Sequence, residues 1–104
     1  MGYRSEVAIA VSTSDYIDAP QNVKDALFEV FNEPAENIDN RVVFHQDWIK
    51  WYDCDDMVQT IENWLDTLNS DNYGMIRLGE DDMDIEYKGD PFNNGLEYSR
   101  KISF

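Results

Sequence analysis

Apolar residues recur in this chain at two spacings, and the order in which those spacings alternate leaves few architectures open. Val7, Ile9 and Val11 occupy every second position of Tyr3–Ser12, the period of a strand, with Glu6, Ala8 and Ala10 between them. The alanines are small, so the second face of this strand is expected to be covered as well. Ser12-Thr13-Ser14-Asp15 breaks the pattern. Val23, Leu27, Val30 and Phe31 then fall at i, i+4, i+7 and i+8, one stripe of a helix over Pro20–Glu33. Pro20 suits its first turn and Pro34 stops it. Asn37–Asn40 is a polar connection. Arg41–Tyr52 is a long strand whose alternation slips near Gln46 and Asp47, as at a bulge.

The helical period returns over Asp53–Ser70, where Val58, Ile61, Leu65 and Leu68 form the buried stripe with Trp64 beside it. Asp53, Asp55 and Asp56 stand at its start, where carboxylates cap free N–H groups and favour the helix dipole. Strands follow at Tyr73–Leu78 and Met83–Lys88, joined by a turn at Gly79-Glu80-Asp81-Asp82. Asp90–Gly95 is a loop rich in turn formers. Leu96, Tyr98, Arg100, Ile102 and Phe104 alternate in a last strand. The order β-α-β-α-β-β-β predicts an α+β fold, two helices packed on one face of a mixed, mainly antiparallel sheet. The 104 residues suffice for one domain, 1–104, with one core.

The charge is lopsided, with 22 acidic residues against 8 basic, a net charge of −14. Such a field repels phosphates, so direct nucleic-acid binding and attraction to anionic membranes are not expected. A basic protein surface is the partner it favours, although charge carried only for solubility reads the same way. Residues 53–90 hold 12 of the acids and 2 of the bases, net −10. On the second helix the buried stripe turns Asp55, Asp56, Gln59, Glu62, Asn63 and Asp66 outward. Glu62 and Asp66 are four apart, a destabilising like-charge pair with no nearby lysine to relieve it. Glu80, Asp81, Asp82, Asp84 and Glu86 follow in the hairpin. Together the two segments are expected to form one acidic face that spaces carboxylates as DNA spaces phosphates, to be met by a basic groove.

Signals for catalysis are weak. His45 is the only histidine and Cys54 the only cysteine, and no local signature joins them as a nucleophile–base pair. A lone cysteine excludes an internal disulfide and fits a reducing compartment. Asp53-x-Asp55-Asp56 and Asp81-Asp82-x-Asp84 lack the spacing of a calcium loop and read more simply as cap and turn. No glycine loop for phosphates, cofactor motif, signal segment or membrane span is evident. The expectation is a non-enzyme with no cofactor and no metal. The run Trp48-Ile49-Lys50-Trp51-Tyr52 is the most unusual local feature. Alternation sends Trp48 and Lys50 one way, Ile49 and Trp51 the other. One set is core, and the other leaves a tryptophan to act as a contact anchor.

Three stretches, Met1–Val7, Trp48–Tyr52 and Tyr73–Asp81, resemble a group of small, mostly uncharacterised proteins encoded by bacteriophages and prophages. The resemblance runs in order over most of the chain and carries no catalytic motif. It implies an accessory protein at work in the host cell cytoplasm. The function expected from charge and resemblance together is binding and inhibition of a host protein, of the anti-CRISPR or other anti-defence type. The contact residues would be Asp55, Asp56, Glu62, Asp66, Glu80, Asp81, Asp82 and Asp84, with Trp48 and Trp51. The alternative is a phage structural or assembly protein that associates through a sheet edge or a tryptophan face.

Overall fold

In a computed structural model the chain is described over residues 3–32, 36–52, 54–81, 83–98 and 102–103. The first strand, β1 (Ser5–Ser12), is buried almost throughout and lies at the centre of a five-stranded sheet. Two helices follow, α1 (Thr13–Ile17) and α2 (Gln21–Phe31). A short strand β2 (Glu36–Ile38) and the long β3 (Arg41–Ile49) lead to α3 (Asp56–Asp66). Strands β4 (Tyr73–Gly79) and β5 (Ile85–Gly89), a single 3-10 turn at Phe92–Asn94, and the short strands β6 (Glu97–Tyr98) and β7 (Ile102–Ser103) complete the chain.

The sheet order is β2-β3-β1-β4-β5, and every hydrogen-bonded pair is antiparallel. β3 and β4 run the same way but never touch, because β1 lies between them. That is why the crossover through α3 leaves no parallel ladder where a mixed sheet was expected. The α+β fold is as the pattern predicted, with its two long helices on one sheet face. Val7, Ile9, Val11, Val42, Phe44 and Met75 pack there against Val23, Leu27 and Phe31 of α2 and Val58, Ile61 and Leu65 of α3. Phe31 links both layers, its ring 5.8 Å from Phe44 and 5.9 Å from Trp51.

The second face is covered too, as Ala8 and Ala10 suggested. These two alanines lie under Leu96 and Ile102 together with Val43 and Ile76. The single last strand expected over 96–104 is replaced by β6 and β7, paired as Glu97↔Ser103 and Tyr98↔Ile102. An unbroken strand would carry Ile102 about 20 Å from Leu96. Folding back lets both bury in the same small cluster.

Two further elements lay hidden in polar sequence. Ser12, read as a break, caps α1 by accepting from the Asp15 N–H at 3.2 Å. Asp39 and Asn40 both adopt positive φ, 48° and 66°, and close a two-residue hairpin that makes β2 an edge strand. The expected slip in β3 is a bulge. The β1–β3 register passes from Val7↔Gln46 to Ser5↔Ile49, and Trp48 inside it has φ of +59°. α2 ends at Phe31, since Asn32 turns to φ +77°. Glu33 and Pro34, the expected end and stop, lie outside the described residues.

Candidate functional site

The expected contact residues fall into three groups. At one end of the sheet, Ser5 sits between Ile49 and Gly79, which brings Trp48 and the Glu80–Asp81 turn to either side of the start of β1. Trp48 is 63 % exposed, and Trp51, at 5 %, belongs to the core. Trp48 is therefore the anchor candidate of the pair. Glu80 accepts the Arg4 N–H, and Asp81 folds onto the Met83 N–H. Asp82 and Asp53 lie outside the described residues.

The second group lies between α3 and the β4–β5 hairpin, and here the two acidic segments do meet. Alternation in β4 turns Arg77 to the helix side with Met75. Its guanidinium grips Asp84 at 2.7 and 3.2 Å, Glu86 at 2.8 Å and the Ser5 hydroxyl at 3.1 Å. The Arg77 side chain is only 14 % exposed. Burial works against its charge, but the two carboxylates more than offset this and hold its pKa above the ordinary value. Hydrogen bonds from Arg77 and from the Tyr3 hydroxyl keep the Asp84 carboxyl below the ordinary carboxylate range.

Lys88 reaches from β5 to Asp66 at 3.0 Å, and that bond raises the pKa of the lysine. Asp66 was expected to lack a lysine. The helix supplies none, but the neighbouring strand does. Glu62 was expected to point outward. It is half-buried and accepts the Trp51 indole N–H at 3.0 Å. Arg77 and Lys88 tie these carboxylates into the fold and offset two of the four negative charges of Glu62, Asp66, Asp84 and Glu86. A hollow of about 490 Å³ beside Arg77 has Tyr52, Cys54 and Trp51 in its wall.

The third group is at the helix layer. Asp55 caps α3, its Oδ1 accepting from Met57 N at 2.9 Å and Val58 N at 3.3 Å. Asp56 points into a trough between α3 and the antiparallel α2. The trough is made of two hollows of about 540 and 290 Å³ that share Asn22 and Thr60. Asp15 and Asp18 wall the first, while Asp25, Glu29 and Asp56 wall the second. No lysine or arginine is among the described lining residues. Lys24, the one lysine of α2, turns away to donate to the Ile17 carbonyl and lies 5.7 Å from the centre of the Tyr16 ring. Trp64, Leu68, Val23, Ala26 and Met57 give the floor apolar character.

Sequence reasoning placed Asp56 on the acidic face but missed Asp15, Asp18, Asp25 and Glu29, because its charge count pointed to residues 53–90. The available signal was the Asp25/Glu29 pair at i, i+4 on the side of α2 away from its apolar stripe. His45 and Cys54 are kept apart by the sheet. His45 binds Glu6 at 2.7 Å on the β6–β7 side, and Cys54 is exposed on the helix side. Among the described residues no three His, Cys, Asp or Glu side chains are arranged to hold a metal ion, and no helix is long and apolar enough to cross a membrane. No protein-family model matches the chain, and comparison with curated proteins and with solved structures finds no match.

Proposed function

We propose that this protein binds a basic partner protein through the trough between α2 and α3. One observation carries the reading: five carboxylates, Asp15, Asp18, Asp25, Glu29 and Asp56, wall a concave surface whose described lining contains no cation. Elsewhere the fold brings Arg77 and Lys88 onto its acids. Here it leaves them unbalanced, over an apolar floor that can take the aliphatic stems of arginine or lysine. In the setting implied by the resemblance to phage proteins, the partner is a nucleic-acid-handling host protein and the outcome is its inhibition. The carboxylates then compete for side chains that otherwise meet phosphates.

The test compares two fourfold neutralisations of equal charge change. One is D18N/D25N/E29Q/D56N in the trough. The other is E36Q/D71N/D81N/E97Q, at exposed sites outside it. Binding to a panel of bacterial DNA- and RNA-binding proteins is measured at low and physiological salt. The trough set should lose about tenfold or more in affinity and flatten the salt dependence, and the outer set should lose far less. Equal losses, or an affinity that ignores salt, would refute the assignment.

A further inference from the structure

We propose that two copies of the chain pair edge to edge through β5, with Tyr87 at the two-fold axis. β5 is the last strand of the sheet. Its ladder to β4 runs Leu78↔Ile85, Arg77↔Glu86, Ile76↔Tyr87, Met75↔Lys88. The flanking bonds Gly79 N to Asp84 O and Asp90 N to Tyr73 O fix the phase of that ladder. Residues 84, 86, 88 and 90 direct their backbone groups toward β4, so Ile85, Tyr87 and Gly89 direct theirs outward.

An antiparallel partner strand bonded to those outward groups has three two-fold registers that keep at least two bonded residue pairs, centred on Glu86, Tyr87 or Lys88, and charge distinguishes them. Centring on Glu86 sets like charges opposite each other, and so does centring on Lys88. Centring on Tyr87 sets Glu86 opposite the partner copy's Lys88 and Lys88 opposite its Glu86. The pairing also extends bonds already present. Arg77 holds Glu86 at 2.8 Å and Asp66 holds Lys88 at 3.0 Å, so signs alternate across the seam as Arg77, Glu86, Lys88, Asp66. On the other face Tyr87 and Phe92, 46 % and 53 % exposed, stack edge to face at 5.7 Å. The two-fold axis brings this pair against its own copy and gives the seam an aromatic side. This proposal does not depend on the trough reading.

Two charge reversals test it. In E86K both facing positions are lysine, and in K88E both are glutamate, so each variant repels itself. Mixed together, the two are complementary at both contacts. Sedimentation of the wild-type chain should show a concentration-dependent dimer with a dissociation constant on the order of tens of micromolar. Each variant alone should weaken by about tenfold or more, and an equimolar mixture should recover the wild-type mass. Circular dichroism establishes that each variant is folded. If one is not, hydrogen exchange on the wild-type chain replaces it, with the Ile85 and Gly89 amides slowing as concentration rises. A single monomer mass at every concentration overturns the proposal, as do a mixture no more associated than its parts and Ile85 and Gly89 exchange that ignores concentration.

Discussion

Replacing Arg77 with methionine keeps the aliphatic stem and removes the guanidinium that faces Asp84, Glu86 and Ser5 together. Breaking a fully buried ion pair costs about 3–5 kcal/mol, and a surface pair is worth about 0–1 kcal/mol. Arg77 is near the buried limit at 14 % exposure, whereas Asp84 and Glu86 keep 36 % and 42 % of their side chains in water. Water thus relieves much of the penalty of the abandoned carboxylates, and the expected loss is about 2 kcal/mol. At this chain length that lowers the melting temperature by roughly 8–10 °C. The sign with pH follows from Asp84, whose carboxyl is held below its ordinary value in the folded state. Such a group stabilises the fold above its unfolded pKa, and the contribution fades as pH falls through the folded one. The difference between wild type and R77M should therefore hold at neutral pH and narrow as pH falls below the usual carboxylate pKa. Urea unfolding followed by the fluorescence of Trp51 and Trp64 reads both arms. R77K, which keeps the charge without the fork, should recover only part of the loss. A neutral-pH loss under about 0.5 kcal/mol, or a gap that does not narrow in acid, would refute the hub role.

Trp51→Ala removes a side chain packed on Phe31 and should cost about 3–5 kcal/mol in chemical denaturation. Trp48→Ala, at an exposed position with positive φ, should stay within about 0.5 kcal/mol. Asn94 is 2 % exposed; its amide donates to the carbonyls of Asp71, Tyr73 and Asp90, and its Oδ1 accepts from Arg41. Asn94→Ala should cost about 2–4 kcal/mol and speed amide exchange over 90–96, because it abandons buried acceptors. Gly74→Ala would drive a methyl into the backbone of Pro91, a collision that no side-chain rotation relieves. The expected loss is above about 3 kcal/mol, read by thermal melting, and a stable G74A would show that the 90–96 loop crosses elsewhere.

The periodic parts of the fold could be read directly. Both helix stripes, the first strand with its two covered faces and the bulge near Gln46 follow from the spacing of apolar residues, which the core enforces. Elements stabilised by turn chemistry could not. Ser12 is the same letter whether it breaks a strand or caps a helix, and Asp39-Asn40 reads as a polar link until its backbone conformation is known. The β6–β7 hairpin eluded pattern reading because its five alternating residues suit one strand as well as two. Only the position of Ile102 beside Leu96 decides between them. Among the acids, the cap role of Asp55 was legible because it depends on neighbours in the chain. The fates of Glu62, Asp66 and Asp84 depend on Trp51, Lys88 and Arg77, each brought near by tertiary structure. Strand parity placed Arg77 beside Met75 on the helix side, and this was the one available hint that a cation would sit among the acids.

Two chains of charge −14 repel each other at long range, so any surface on which copies meet must be locally balanced. The helix layer does not qualify, since its trough gathers five carboxylates with no lysine or arginine among the described lining residues. β5 comes nearer to balance, because Arg77 and Lys88 offset two of the three carboxylates Asp66, Asp84 and Glu86 and present alternating signs at the edge. At physiological ionic strength charges beyond about 8 Å are largely screened, so the contact reads the local pattern and not the total. Added salt therefore acts oppositely on the two proposed surfaces. It weakens capture of a basic partner by the trough, because that attraction is summed over several exposed carboxylates. It relieves the overall repulsion between copies while leaving the short contacts of the seam nearly intact. Under these two proposals, a face for unlike molecules and an edge for a second copy are separated by the placement of two cations, Arg77 in β4 and Lys88 in β5.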